Sequence, residues 1–363
     1  MIRQEVRGNF EGSFAALPSY MRELRSGDTD ACFQLLCQDE GRFHHFFWAF
    51  GASICAFRKH YRPLLGLDGA LLTASCIDGN NCILPLAWLR DGVVGDRDVS
   101  RVNNILTIIF NRQKGLIEAV SDVFPDAAHG CCMYHLSTNL PHAPKNTPAW
   151  RRFCAAARVY TVTEFNEHMK KMKDLNPEKY KYVVKLPLHR AFQLPPGRGN
   201  TKENSVTKNA GEKITSVLTP YAKKILESSR EASRFYTLNP STDVLFQVIT
   251  PNSTKVVDLS KMTCSYKRWD INGIPCNHAM GAISCRLQYP YDFVEDWFKT
   301  LTYRATYNDY VPPTRGKEYW PAIPSNVVPS QPPNVRIQQG RKKVARRESI
   351  SNGLLKKRCG NCQ

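Results

Sequence analysis

The sequence of 363 residues lacks a long apolar run and is short of acidic side chains. It contains no stretch of about 18 consecutive apolar residues, so we expect no membrane span. Its N-terminal residues, MIRQEVRGNF, include no apolar core, so we expect no secretory signal. The 32 acidic residues stand against 50 lysines and arginines, which gives a formal net charge of +18. So large a basic excess predicts a polyanionic partner and favours nucleic acid.

The hydrophobic content and the cysteines narrow the class of protein further. Hydrophobic residues make up 42 % of the chain, which excludes a disordered chain and predicts packed domains. The chain also has 13 cysteines. Without a secretory signal, thiols are kept reduced. We therefore expect some of these cysteines to bind a metal ion rather than to form disulfides.

Composition changes along the chain and divides it into segments. We expect an N-terminal helical segment over 1–60, an α/β domain over 61–155, a second helical segment over 156–235, a cysteine-containing region over 236–300, a proline-rich linker over 301–340 and a basic tail over 341–363. Residues 334–363 hold nine lysines and arginines against one acidic residue, so +8 of the net charge of +18 lies there. The basic run that suits nuclear import or phosphate contact comprises Arg341, Lys342, Lys343, Arg346 and Arg347.

The segment 61–155 alternates apolar runs with turn residues. We predict strands over Arg62–Asp68, Leu71–Ile77, Cys82–Trp88 and Ile105–Phe110, followed by an amphipathic helix over Lys114–Phe124. The residues Asp-Gly-Asn-Asn at 78–81 join the second run to the third, and because glycine and asparagine tolerate positive φ, they predict a β-hairpin turn. The segment therefore predicts an α/β fold with a mixed sheet.

The stretch 262–283 carries the clearest chemical signal. Cys276 and His278 are spaced C-x-H after a Gly-Ile-Pro turn, at the start of a predicted helix. Two ligands two positions apart at a helix start can face the same metal ion. Zinc needs further sulfur or nitrogen ligands to complete a tetrahedron, and Cys264 is the candidate for a third.

This stretch resembles a SWIM-type zinc finger, in the form found in plant Mutator-like transposases, whose pattern is C-x-C, a spacer and C-x-H. The flanking RWD at 268–270 and GIPCNHA at 273–279 are part of the resemblance. The second cysteine of C-x-C falls at Tyr266. The resemblance therefore implies a small ββα finger that binds Zn²⁺ through Cys264, Cys276 and His278, either with water as the fourth ligand or with weakened affinity.

The resemblance to the same transposase family extends upstream over 61–88 and 106–140. The catalytic domain of that family is RNase H-like, and three carboxylates (DDE) hold two divalent ions, Mg²⁺ or Mn²⁺, for DNA strand cleavage and transfer. Hard cations prefer oxygen ligands, which explains the carboxylates. Relative to the family, the sequence is shortened after Gly69 and between Leu89 and Asn104, so the resemblance implies a degraded RNase H-like domain.

The catalytic triad carries over incompletely. The first aspartate matches Asp68, and the second falls at Asn111, whose amide adds no negative charge. For the third acid, Glu164 and Glu167 are the nearest candidates downstream. We therefore expect a vestigial centre that binds Mg²⁺ or Mn²⁺ only if the three-acid site is intact, and a protein that is not an active enzyme.

Further cysteines form incomplete motifs. Cys132 and His135 are spaced C-x-x-H, which the family keeps inside the catalytic domain, so we expect a structural role, with half of a metal site as the alternative. Cys359 and Cys362 begin like a CCHC zinc knuckle. Two thiolates do not close a tetrahedral site, so we expect no isolated knuckle there.

Together these features predict a transposase-derived nuclear protein that binds zinc and DNA and is catalytically impaired. We expect DNA to be held largely through its phosphates, with the finger adding a contact to DNA or to a protein. Two alternatives stay open at this point. One is an active DDE transposase that tolerates Asn111, and the other is a domesticated nuclear transcriptional regulator.

Overall fold

The structure is a computed structural model, which describes residues 10–68, 71–90, 106–110, 114–138, 147–184, 191–192, 209 and 211–333. These residues form an eight-stranded and a four-stranded sheet with helices packed against them. Among them, no helix has the length and apolar character needed to cross a membrane.

The elements follow one another in two groups. The first group consists of α1 (Phe10–Ala15), α2 (Leu17–Gly27), β1 (Cys32–Cys37), β2 (Phe43–Ala49), α3 (Gly51–Lys59), β3 (Leu64–Asp68), β4 (Leu71–Ile77), β5 (Ile83–Arg90), β6 (Thr107–Phe110), α4 (Lys114–Val123), β7 (Ala128–Cys132), α5 (Met133–Thr138), α6 (Pro148–Ala156), α7 (Val162–Leu175), α8 (Pro177–Val184) and β8 (Ala191–Phe192). The second group consists of α9 (Pro220–Ser233), β9 (Thr237–Pro240), β10 (Leu245–Thr250), β11 (Ser253–Asp258), β12 (Thr263–Cys264), α10 (Arg268–Asn272), α11 (Asn277–Cys285) and α12 (Thr300–Thr306).

The larger sheet has the strand order β1-β2-β5-β4-β3-β6-β7-β8. The neighbouring strands from β1 to β3 in this order pair antiparallel. From β3 onward, the pairs β3–β6, β6–β7 and β7–β8 are parallel. The sheet is therefore mixed, and the predicted α/β class is confirmed. Leu65, Leu84 and Ile108 lie in one buried cluster with Leu116 of α4, which explains why these apolar runs form strands covered by a helix.

The expectation that residues 1–60 are helical is wrong for part of that segment. Strands β1 and β2 form a hairpin there, and β2 pairs antiparallel with β5, with Trp48 opposite Trp88. The sequence of β2, FHHFFWA, is rich in aromatic residues, which favour a pleated surface over a helix. The hairpin extends the larger sheet beyond the segment in which we predicted it.

Helices α7, α8 and α9 lie within the second helical segment predicted over 156–235, whereas α6 lies almost wholly before it and the short strand β8 falls inside it. Phe153, Met169, Met172 and Val183 share a buried cluster with side chains of β7 and α5. Helix α7 begins after Thr161, whose hydroxyl oxygen accepts a hydrogen bond from the Glu164 amide at 3.3 Å. Helices α6, α7 and α8 therefore rest on the β7 side of the larger sheet.

The smaller sheet has the order β12-β11-β10-β9 and is antiparallel throughout. Helices α9 and α11 contribute to a common buried cluster with this sheet, which includes Phe246, Val257, Met280 and Ile283. Along β10 the buried and exposed side chains alternate, as expected for a strand with one solvated face. This unit, which we call the Cys/His module and define as residues 220–298, carries the metal-ligand candidates.

The predicted hairpin turn at 78–81 is the joint between the two sheets. The Thr219 hydroxyl donates a hydrogen bond to the Gly79 carbonyl oxygen at 2.7 Å, and the Tyr221 amide donates to Asn80 Oδ1 at 3.1 Å. A Cβ atom at Gly79 would lie 1.8 Å from the carbonyl oxygen of Trp297, so the close approach requires glycine. The turn is thus inserted into the Cys/His module.

Asp78 anchors this turn from inside the protein. It is fully buried, and its carboxylate accepts hydrogen bonds from the amides of Asn80 and Cys82 and from the Tyr307 hydroxyl at 2.7 Å. Burial raises the pKa of Asp78. Asp78, the first residue of the predicted turn, therefore also connects the larger sheet to the segment after α12 through a buried hydrogen bond.

The expectation of an extended, proline-rich linker over 301–340 is wrong for residues 301–333, which the structure describes, because this segment packs on the rest of the protein. It begins inside α12, and its later residues pack on the N-terminal helices and hairpin. Arg315 donates two hydrogen bonds to the buried Glu23 carboxylate, and the Trp320 ring lies 4.9 Å from that of Tyr20. The Gln331 carbonyl accepts a hydrogen bond from the amide of Phe43, the first residue of β2, and its amide donates to the Gly41 carbonyl just before that strand. Proline excludes regular structure, but it does not prevent an extended segment from packing.

Candidate metal centre

A hairpin and a helix start bring the three ligand candidates together. Cys264 lies in β12, opposite Val257 of β11, and Cys276 is the residue before α11. His278 is in the first turn of α11, so the C-x-H spacing directs both side chains to one side of the helix start. Helix α10 ends at Gly273, whose φ of 70° allows the chain to reverse toward Cys276.

The ligand atoms of these three residues converge on one point. The Nδ1 atom of His278 lies 3.7 Å from Sγ of Cys276 and 3.9 Å from Sγ of Cys264. All three ligand atoms lie within 4.8 Å of one another, and the side chains are buried. The group can therefore hold a metal ion, with Nδ1 as the imidazole ligand.

Hydrogen bonds favour a thiolate in this cluster. The Cys264 thiol, the His278 ring and the Ala279 amide lower the pKa of Cys276 to about 5, although burial opposes them. The same sulfur–sulfur contact raises the pKa of Cys264. The Tyr266 amide also donates to Sγ of Cys264 at 3.4 Å. Amide donors and a helix start stabilise sulfur as an anion, which is the form that binds a metal.

Tyr266, which the resemblance aligns with the second cysteine of C-x-C, lies beside the cluster. Its ring contacts the His278 ring edge to face, with the centroids 5.3 Å apart. The Lys255 ammonium lies 5.9 Å from its centroid, and burial raises the pKa of the Tyr266 phenol. An aromatic ring therefore packs against the ligand imidazole.

Two aromatic residues of the site were not predicted from the sequence. The Tyr236 ring, which follows α9, stacks on the His278 ring at 5.3 Å and 20°. The Tyr160 ring, from the loop before α7, lies 5.6 Å from the Tyr266 ring, and its hydroxyl accepts a hydrogen bond from Asn272 at 2.9 Å. Neither tyrosine belongs to a motif that includes a ligand, so the sequence pattern does not mark either one as part of the site.

The DDE centre stays a prediction, because the structure describes the side chains of only two of its candidate residues, Glu164 and Glu167. Asp68 is the last residue of β3, and nothing is described of its side chain; Asn111 lies outside the described residues. Glu164 caps α7, where its carboxylate accepts a hydrogen bond from the Thr161 hydroxyl, and its charge raises the pKa of Tyr266. Glu164 therefore faces the Cys/His module, and Glu167 is exposed on α7.

The other predicted cysteine motifs do not add to the metal cluster. Cys132 is the last residue of β7, and His135 lies in α5. Within the described ranges, neither belongs to a group of three cysteine, histidine or acidic side chains that could hold a metal ion. Cys359 and Cys362 lie outside the described residues. The same holds for the basic run Arg341, Lys342, Lys343, Arg346 and Arg347.

The sequence matches no protein-family model, and no curated protein is significantly similar to it.

Proposed function

We propose that this chain is a Mutator-like transposase derivative that binds zinc through Cys264, Cys276 and His278, binds DNA largely through its phosphates, and has lost strand-transfer activity. The observation that carries the proposal is the buried convergence of two sulfurs and one imidazole nitrogen. Such a donor set is typical of zinc, which takes sulfur and nitrogen ligands in tetrahedral sites.

The spacing of the donors fits zinc. With a Zn–S distance of about 2.3 Å and a Zn–N distance of about 2.0 Å, sulfur and nitrogen ligands of a tetrahedral site lie about 3.5 Å apart. The sulfur–nitrogen distances here, 3.7 and 3.9 Å, are only slightly wider. When bound, zinc would tie the β11–β12 hairpin to α11. Its role would then be to stabilise the Cys/His module rather than to carry out a reaction.

The local arrangement supports the SWIM-type alignment. Strands β11 and β12, the short helix α10 and then α11 follow one another, with one ligand on β12 and two at the start of α11, so α10 is an addition to the expected ββα order. Tyr266, the position of the second cysteine in that alignment, lies against the ligand His278.

The strand order supports an RNase H-like ancestry for the larger sheet. An RNase H-like domain has a three-stranded antiparallel meander followed by two strands parallel to the first. The order β5-β4-β3-β6-β7 has this arrangement, with β3 in the centre. Leu67 of β3 is opposite Phe110 of β6, and β3 ends at Asp68 and β6 at Phe110, so both strands end at one edge of the sheet.

The substituted triad argues against strand transfer. Asn111 contributes no negative charge to a pocket that must hold two divalent cations. Glu164 is engaged in a helix cap next to the Cys/His module. Full-length protein with Mg²⁺ or Mn²⁺ and terminal-inverted-repeat DNA should give no strand transfer. Cleavage that Asp68→Ala abolishes would instead establish an active transposase.

The net charge of +18 supports DNA as the partner and the nucleus as the location. Lysines and arginines that contact phosphates release counterions, so affinity falls steeply as salt rises. A flat dependence of log K on log salt concentration would remove phosphate binding from the proposal.

Zinc content tests the metal centre. Full-length protein purified without chelators should contain about one zinc per chain, and Cys276→Ser and His278→Ala should lose it. Cys285→Ser is the matched control, because Cys285 is exposed at the end of α11 and outside the cluster. Wild-type content below about 0.3 zinc per chain would contradict the proposal.

A further inference from the structure

The ligand imidazole is held between aromatic rings on two sides. Tyr236 stacks on His278 with its ring only 20° from parallel, and Tyr266 meets it at 72°. In this orientation Nδ1 points to both sulfurs, at 3.7 and 3.9 Å. The three-residue site therefore has an imidazole whose orientation is fixed by packing.

Tyr266 is itself held by groups from other segments. Tyr160, in the loop before α7, lies 5.6 Å from it, and Asn272 of α10 donates a hydrogen bond to the Tyr160 hydroxyl at 2.9 Å. Lys255 of β11 covers the Tyr266 ring at 5.9 Å. The Tyr266 ring thus lies in the contact between the loop that joins α6 to α7 and the Cys/His module.

A metal site gains affinity when its ligands are oriented before the metal binds. Outer contacts that fix a ligand histidine commonly change metal affinity by about 10- to 100-fold. A fourth protein ligand would help to fix the geometry, but the group that the described residues form has only three ligand atoms. The aromatic contacts of this chain can meet the same requirement without a metal–ligand bond.

We propose that Tyr266, supported by Tyr160 and Tyr236, is a positioning residue of the metal centre. Its ring orients His278 by packing, and the fourth coordination position, for which the described group offers no ligand atom, is left to an exchangeable small donor such as water or imidazole. This inference rests on the proposed metal binding and assigns the phenol oxygen no bond to the metal. It predicts that the ring matters and that the hydroxyl does not.

Cobalt binding to the full-length chain tests this proposal, because the visible absorption of Co²⁺ reports its ligands. Tyr266→Phe should bind Co²⁺ within about twofold of wild type and give the same spectrum. Tyr266→Ala should bind at least about tenfold more weakly, and Tyr160→Ala should weaken binding in the same direction. Tyr310→Ala, which truncates an exposed tyrosine, is the matched control and should leave binding unchanged.

Added imidazole tests the exchangeable position. The Co²⁺ spectrum of wild type and of Tyr266→Phe should shift with imidazole, whereas that of Tyr266→Cys should not, because a third sulfur fills the position. This comparison tests whether the fourth coordination position is exchangeable even if Tyr266→Ala fails to fold. Equal losses of affinity in Tyr266→Phe and Tyr266→Ala would overturn the proposal, since the phenol oxygen would then be a ligand.

Two further results separate this inference from the proposed function. Co²⁺ affinity in a folded Tyr266→Ala equal to that of the Tyr310→Ala control would overturn the positioning role and leave metal binding intact. Failure of the wild-type chain to bind either Co²⁺ or Zn²⁺ would overturn the metal centre itself. A spectrum of wild type that ignores imidazole would overturn the exchangeable position.

Discussion

Replacing Gly79 by alanine should separate the two sheets at their joint. The new Cβ would fall 1.8 Å from the Trp297 carbonyl oxygen and 3.3 Å from Cα of Phe298, both of which are backbone atoms that cannot rotate away. The turn at 78–81 must therefore move out of the Cys/His module. That movement breaks the hydrogen bonds from Thr219 to Gly79 and from Tyr221 to Asn80.

The size of the effect follows from these interactions. Each buried hydrogen-bonding group left without a partner costs about 1–3 kcal/mol. Overpacking against a backbone adds about 1–3 kcal/mol where the structure cannot relax. If the turn moves away, the overpacking is relieved but the hydrogen bonds are lost, so the two costs do not add in full. We therefore expect Gly79→Ala to lower the free energy of unfolding by about 3–5 kcal/mol.

Urea denaturation followed by tryptophan fluorescence measures this loss, and limited proteolysis reports whether the joint opens. Gly27→Ala is the matched control: its new Cβ meets only Pro312, at an ordinary 3.5 Å, so its stability should stay within about 0.5 kcal/mol of wild type. A Gly79→Ala variant as stable as Gly27→Ala would refute the joint between the two sheets.

Three other perturbations have defined outcomes. The Arg315 guanidinium holds the pKa of the Glu23 carboxyl below its ordinary value of 4.5, so the pair stabilises the fold above that pH and the stabilisation disappears as the pH falls through the lowered pKa. Glu23→Gln should therefore lower the Tm at neutral pH and hardly change it in acid; an equal decrease at both would contradict the ion pair. Tyr266→Cys should tighten zinc binding by at least about tenfold in a chelator competition, and unchanged affinity would count against the alignment of that position. Replacing Arg341, Lys342 and Lys343 by glutamine should make the slope of log K against log salt shallower by roughly 0.9 for each phosphate that these side chains neutralise, and an unaltered slope would exclude the tail from DNA binding.

The sequence predicted the local elements of the larger sheet because their signals are local. The runs around Leu65, Leu84 and Ile108 alternate with turn residues, and the residues Asp-Gly-Asn-Asn favour a turn between two strands. It did not predict the N-terminal hairpin, whose pairing with β5 joins residues far apart in the chain. Nor did it predict the packing of Arg315 on Glu23, since proline content reports the absence of regular structure and not the absence of tertiary packing.

The same distinction applies to the candidate metal centre. Cys264, Cys276 and His278 were found because their types and spacing carry the signal, and the structure brings their ligand atoms together. The stacking of Tyr236 and the contact of Tyr160 depend on tertiary packing, so no spacing could reveal them.

X-ray absorption at the zinc edge of the full-length protein tests the central claim most directly, because it counts the sulfur ligands around the metal. We predict two sulfurs at about 2.3 Å, contributed by Cys264 and Cys276, and two lighter ligands at about 2.0 Å, one of them the His278 imidazole. The Tyr266→Cys variant should show three sulfurs. A wild-type shell with no sulfur, or with three or four, would contradict the assignment of the centre to these residues.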